Sequence, residues 1–129
     1  MTLDSSAVVA ILFGEFGHLG LVDRILEADV ARIGAPTLTE TAIVVTARRK
    51  APMRRELTRL LRELDITPVP FTGEHHEAAW RAFERYGRGR HKAGLNFGDC
   101  LSYAVASLAG DTLLFVGDDF RYTDIAAAL

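Results

Sequence analysis

The chain has 129 residues, 49% hydrophobic and 25% charged, with a formal net charge of −2; this balance predicts one folded domain over residues 1–129 and excludes a disordered or fibrous chain. A single cysteine, Cys100, excludes an internal disulfide and a multi-cysteine zinc site and suits a reducing compartment, so the cytoplasm is the expected location. The apolar run AVVAILF follows an aspartate and lacks a basic segment before it, so neither a signal peptide nor a membrane span is expected.

MTLD reads as a short strand ending at Asp4, and SSAVVAILF as a helix with Ser5 or Ser6 available as its cap. A second helix is predicted from about Gly17 to Ala28. VARIGA is a β-like run that meets Pro36, and LTETAIVVTARR continues as a helix with Thr37 in a capping position. Another helix spans Pro52 to Leu64, with Met53, Leu57, Leu60, Leu61 and Leu64 on one face and Arg55, Arg59 and Arg62 on the other. DITPVPF is extended, EHHEAAWRAFERY is helical, and GRGRHKAGLNFG is a glycine-rich basic loop. A helix follows in which Leu101, Ala104, Val105 and Leu108 share a face and Gly110 is the stop; TLLFVG is the last strand and DDFRYTDIAAAL a short tail. Strands separated by helices predict an α/β sandwich with a mainly parallel sheet, because parallel strands need crossover connections.

Charge is segregated along the chain. Arg48, Arg49, Lys50, Arg54, Arg55, Arg59 and Arg62 form one basic segment, and Arg81, Arg85, Arg88, Arg90 and Lys92 form another interrupted only by Glu84. Local fields of this kind attract a polyanion even when the whole chain is mildly acidic, although a solvated helix face is the plainer account of the first segment.

The acids are more telling. Asp4 ends the first strand, Glu40 lies in the first turn of the helix after the second, Asp99 opens the later helix, and Asp118 and Asp119 follow the last strand. Each has an ordinary structural role: Asp4 as a cap, Thr37-x-x-Glu40 as a capping box, Asp99 against the helix dipole, Asp118–Asp119 in a turn. In a parallel sheet, however, all these positions project from the carboxyl edge, where ligands bind. Carboxylates crowded there repel and raise one another's pKa values unless a divalent cation lies among them. Oxygen-rich sites suit Mg²⁺ or Mn²⁺, which activate water and neutralise charge on a phosphodiester under in-line attack.

LDSSA at Leu3–Ala7, LTETA around Glu40, LNFGDCLSYAVA around Asp99 and LLFVGDDFRYTDI at Leu113–Ile125 together resemble the PIN-domain nucleases, and within them the VapC toxins of bacterial toxin–antitoxin pairs. The resemblance covers nearly the whole chain. It implies a three-layer α/β/α sandwich with a short, mainly parallel central sheet and a Mg²⁺-dependent endoribonuclease, with Mn²⁺ as a substitute ion. It further implies RNA as substrate, a cognate VapB-type antitoxin as partner, and a homodimer. Carried onto this chain, the pattern implies that Asp4 and Asp99 bind the metal most directly. Glu40 and an acid of the Asp118/Asp119 pair complete the pocket, with Ser6 and Asn96 in support. Ser5 stands where many relatives carry threonine. Of the adjacent acids, Asp118 directly follows the turn glycine and is the geometric preference. Arg85, Arg88, Arg90 and Lys92 are the expected contacts to RNA or to the antitoxin, because arginine recognises phosphate and carboxylate alike.

Other readings fit less well. A cysteine hydrolase would pair Cys100 with His18, His75, His76 or His91, but Cys100 falls on a face with Ala104 and Leu108. The adjacent His75–His76 pair lacks the spacing of a helical zinc motif, and solvent exposure is expected for it. Trp80, Phe83 and Tyr86 recur at helical spacing, which predicts core packing. A phosphoreceiver would need an acidic pair after the first strand and a lysine after the last, and a haloacid-dehalogenase-type phosphatase a second aspartate where Ser6 stands. The remaining alternative is a non-catalytic PIN-like binding module.

Overall fold

Each β-prone run in this chain is short and gives way to a helix almost at once, and the structure, a computed structural model describing residues 1–129, shows how little strand is needed to set the edge. The elements are β1 (Thr2–Leu3), α1 (Ser5–Leu12), α2 (His18–Glu27), β2 (Ala31–Gly34), α3 (Ala35–Arg49), α4 (Arg54–Glu63), β3 (Ile66–Val69), α5 (Gly73–Tyr86), α6 (Phe97–Ala109), β4 (Leu113–Leu114) and a 3₁₀ turn, Asp119–Tyr122. The four strands pair in the order β3-β2-β1-β4, every pair parallel. Pro68 is accommodated because β3 is an edge strand, where a missing N–H costs little.

Adjacent strand residues face opposite sides, and the core divides accordingly. Leu3, Ile33 and Leu114 pack with Val8, Leu21, Ile25 and Leu57 of α1, α2 and α4. Leu113 packs on the other side with Ala78, Ala82, Ala104 and Tyr103 of α5 and α6. The result is the three-layer α/β/α sandwich with a short parallel sheet. No helix is long and apolar enough to cross a membrane.

Several local expectations are corrected. The cap of α1 is Asp4 rather than Ser5 or Ser6: its carboxylate accepts the Ser6 N–H. Helix α3 begins at Ala35, with Pro36 in the first turn and Gly34 at the cap, so Thr37 is not its cap and Thr37–Glu40 form no capping box. Pro36 suits a position whose N–H has no intrahelical partner. Capping boxes lie instead at α5, between Thr72 and His75, which engages the half-buried His75 ring, and at the start of α6. Core packing holds for Tyr86 but not for Trp80 and Phe83, which are 56% and 41% exposed. The reason is that α5 meets α6 through the small side chains of Ala78, Ala79 and Ala82, leaving the larger rings on an adjacent face. Leu108 likewise stays 44% exposed on the far turn of α6. The predicted basic loop is a set of turns tied down by backbone bonds between Tyr86 and Leu95 and between Arg88 and Leu95, with Leu95 fully buried.

Gly34 lets α3 approach α6. Its φ of −62° is open to any residue, but a Cβ there would stand 2.8 Å from Cγ2 of the buried Val105. Gly34→Ala is therefore expected to destabilise by about 1–2 kcal/mol, overpacking outweighing the reduced freedom of the unfolded chain. Calorimetry should show Tm lowered by roughly 3–8 °C; an unchanged or raised Tm would mean that the two helices separate at no cost.

Candidate active site

The carboxyl ends of β1 and β4 and the N-termini of α1, α3 and α6 converge on one edge, and most of the acids singled out in the sequence stand there. Asp4, 5% exposed, is held from two sides. Oδ2 accepts the Ser6 N–H at 3.0 Å and the Ser6 hydroxyl at 2.6 Å, and Oδ1 accepts the Ser102 hydroxyl at 2.6 Å. The Ser6 oxygen also accepts the Val116 N–H at 3.0 Å, tying α1 to the segment after β4. With the Ser102 proton committed to Asp4, the Thr37 hydroxyl 3.4 Å away is left to donate to the Ser102 oxygen.

Asp99 opens α6 in a reciprocal box with Asn96: its N–H donates to the Asn96 side-chain oxygen at 2.9 Å, and its carboxylate accepts the Asn96 N–H at 3.0 Å. Its pKa is raised to about 6, first by burial and then by the charges of Asp4, Asp119 and Glu40, against the lowering effect of the Asn96 N–H. Glu40 lies directly against Gly98, where any Cβ would collide with its carboxylate, so glycine at this position lets α3 and α6 bring Glu40 and Asp99 together. The two adjacent acids have different neighbours: Asp118 pairs with Arg121 at 3.2 Å, whereas Asp119, at the start of the 3₁₀ turn, contributes to the raised pKa of Asp99.

None of the ion pairs in the molecule engages Asp4, Glu40, Asp99 or Asp119. The positive end of α6 offsets their repulsion in part. No three or more His, Cys, Asp or Glu side chains are grouped closely enough to hold a metal ion among themselves. Unneutralised carboxylates on an open edge fit Mg²⁺ or Mn²⁺, which take one or two carboxylates and keep several waters, better than a fully protein-ligated metal. The cysteine reading fails, since burial, and then the charge of Asp99, push the Cys100 thiol up to about 11.

Of the expected basic contacts, Lys92 comes nearest to the acids. Lys92 Nζ lies 4.7 Å from the centre of the Tyr122 ring, on the turn that bears Asp119. Arg90 Cζ lies 6.0 Å from the Phe83 ring centre, and Arg88 is exposed. Arg85 is drawn aside, to Asp124 at 3.5 Å and over Tyr86. Sequence reasoning missed Ser102 and Gly98, and mistook Thr37 for a cap. The available signal was position: Ser102 stands three residues after Asp99, a polar side chain inside an apolar run.

The PIN domain family model matches residues 1–126. Ribonuclease VapC36 of Mycobacterium tuberculosis is 48% identical over 126 residues, covering 97% of this chain and 91% of that relative. Ribonuclease VapC of Mycolicibacterium smegmatis is 42% identical over 127 residues, 98% of each. Among solved structures, a toxin–antitoxin complex from Klebsiella pneumoniae has a TM-score of 0.73 at 15% identity, covering 99% of this chain and 97% of that one. The sarcin–ricin loop cleaving toxin VapC20 of Mycobacterium tuberculosis has a TM-score of 0.73 at 19% identity, covering 97% and 95%.

The raised pKa of Asp99 ties stability to pH. Its folded value of about 6 lies above that of an unfolded aspartate, so between about pH 4 and 6 the folded state holds a proton that the unfolded state has lost. Stability of the metal-free protein should fall across that window and level off above it. Asp99→Asn should flatten the slope in denaturation experiments at stepped pH; an equal slope in the variant would assign the effect to another group.

Proposed function

This chain belongs to the PIN-domain family, and from that membership we propose that it is a metal-dependent endoribonuclease, the toxin of a type II toxin–antitoxin pair. The observation that carries the reading is the set Asp4, Glu40, Asp99 and Asp119, none in an ion pair, with the pKa of Asp99 raised by burial and then by the other three. Its relatives at 39–48% identity are named VapC ribonucleases along nearly the whole chain.

In this reading Asp4 and Asp99 are the direct ligands of a Mg²⁺ ion, which Mn²⁺ can replace; when bound, it lowers the pKa of water and stabilises charge on the phosphodiester. Ser6 and Ser102 fix both oxygens of Asp4. Asn96 fixes the rotamer of Asp99, while Glu40 and Asp119 orient water at the rim. Arg88, Arg90 and Lys92 draw the RNA backbone to the edge, and a cognate VapB-type antitoxin silences the toxin by competing for that surface. The setting is the cytoplasm, and the working form is a homodimer.

Purified, partner-free protein should cut cellular RNA into discrete fragments with Mg²⁺ or Mn²⁺, and chelator or Asp99→Asn should abolish them. No fragments from folded protein with either ion would favour a non-catalytic binding module. In calorimetric titration Mn²⁺ affinity should fall at least roughly tenfold in Asp4→Asn and in Asp99→Asn; unchanged affinity in both would remove the metal assignment. Replacing Arg88, Arg90 and Lys92 should weaken RNA binding and reduce its salt slope by up to about 3, one for each phosphate that is no longer neutralised. An unaltered slope would exclude the loop.

A further inference from the structure

Thr2, Asp4, Thr37, Thr41 and Ser102 are buried polar side chains. Thr2 and Thr41 are accounted for by the fold alone, since Thr2 donates to Asp111 and Thr41 to the Thr37 carbonyl one turn back. The others form a single chain of bonds across the interior. The Ser102 hydroxyl, 1% exposed, gives its proton to Oδ1 of Asp4 at 2.6 Å, a short bond to a carboxylate. Thr37, equally buried, has the Ser102 oxygen at 3.4 Å as the one hydrogen-bond partner of its hydroxyl. Ser102 precedes the buried run Tyr103–Ala106, a setting in which a hydroxyl is stable only if it is bonded.

The two helices give this chain of bonds its reach. Thr37 and Glu40 on α3, and Asp99 and Ser102 on α6, each have the spacing of side chains on one helical face. The contacts cross: the first turn of α3 meets the second turn of α6 through Thr37 and Ser102, and the second turn of α3 meets the first turn of α6 where Glu40 rests on Gly98. The hydroxyl pair is therefore the interior half of the crossing that brings Glu40 beside Asp99. Ser6 holds Oδ2 of Asp4 from α1, and only Ser102 holds the carboxylate from α6.

We propose that Thr37 and Ser102 are a positioning pair for the divalent ion: Thr37 acts through Ser102, and Ser102 through Oδ1 of Asp4, to lock that carboxylate to the crossing of α3 and α6, and the lock sets metal affinity. The inference rests on the metal-dependent reading of the edge and adds to it two residues too deeply buried to touch ion or RNA. Groups one bond removed from a metal ligand orient it, which is why their loss weakens binding without removing a ligand.

Calorimetric titration of the full chain with Mn²⁺ tests the pair, with the thermal midpoint of the metal-free protein measured beside each affinity. Ser102→Ala should weaken Mn²⁺ binding roughly tenfold. Thr37→Val, which keeps the shape and removes the hydroxyl, should weaken it roughly threefold, the effect of one neutral hydrogen bond, and Thr37→Ser should restore it. With both Ser102→Ala and Thr37→Val, the loss should stay roughly tenfold rather than reach the roughly thirtyfold of independent effects, because Thr37 then has no route to Asp4. If Ser102→Ala does not fold, Thr37→Val against Thr37→Ser decides the matter. Unchanged or raised Mn²⁺ affinity in Thr37→Val, whatever its thermal midpoint, would overturn the proposal, as would multiplying losses in the double variant; wild-type Mn²⁺ binding and the nuclease reading would stand. Folded wild-type protein that binds no Mn²⁺ would instead remove the metal reading and the proposal together. The expected pattern of affinities without RNA cleavage by the wild-type chain supports the pair and removes the nuclease reading.

Discussion

The carboxylate of Asp4 is the point on which the architecture turns. A buried acid must have its oxygens satisfied, because an unpartnered polar group at that depth costs several kilocalories. Here the donors come from three separate elements: Ser6 on α1, Ser102 on α6 and, through Ser102, Thr37 on α3, while the Ser6 oxygen receives the Val116 N–H beyond β4. Satisfying one carboxylate therefore fixes where three helices start relative to β1.

This arrangement trades stability for chemistry. No ion pair neutralises these acids, and burial first, then the neighbouring carboxylates, raise the pKa of Asp99. Functional sites commonly carry such uncompensated charge, and the remainder of the fold offsets it. The offset lies in two apolar layers closed over a sheet whose outermost strand, β4, contributes only Leu113 and Leu114, both fully buried. Small residues at the helix contacts matter as much as large ones. Gly34 admits Val105 and Gly98 admits the Glu40 carboxylate, so α3 and α6 meet closely enough for their acids to interact.

The basic and aromatic features complete the same edge. Lys92 over Tyr122 and Arg90 beside Phe83 bring positive charge from the α5–α6 loop to surfaces that flank the acids.

Much of this was legible in the residues alone. Alternating β-prone and helical runs imposed parallel strands, and parallel strands imposed a common edge for Asp4, Glu40, Asp99 and the final acids, since each crossover returns the chain in one direction. Residue periodicity located Gly110 as a helix stop and Cys100 as a buried thiol. Contacts between elements distant in sequence were decided only by packing. Ser102 became a partner of Asp4, and Thr37 of Ser102, because α3 and α6 close over β1; local capping rules, which see three or four residues, assigned Thr37 elsewhere. Asp118 is held by Arg121 across the 3₁₀ turn that begins at Asp119, a contact local rules did not single out. Trp80 and Phe83 were left outside because alanines bring α5 close to α6. A helical period shows which residues share a face; which face is covered depends on the size of the side chains at the closest approach, and that is a property of the tertiary structure.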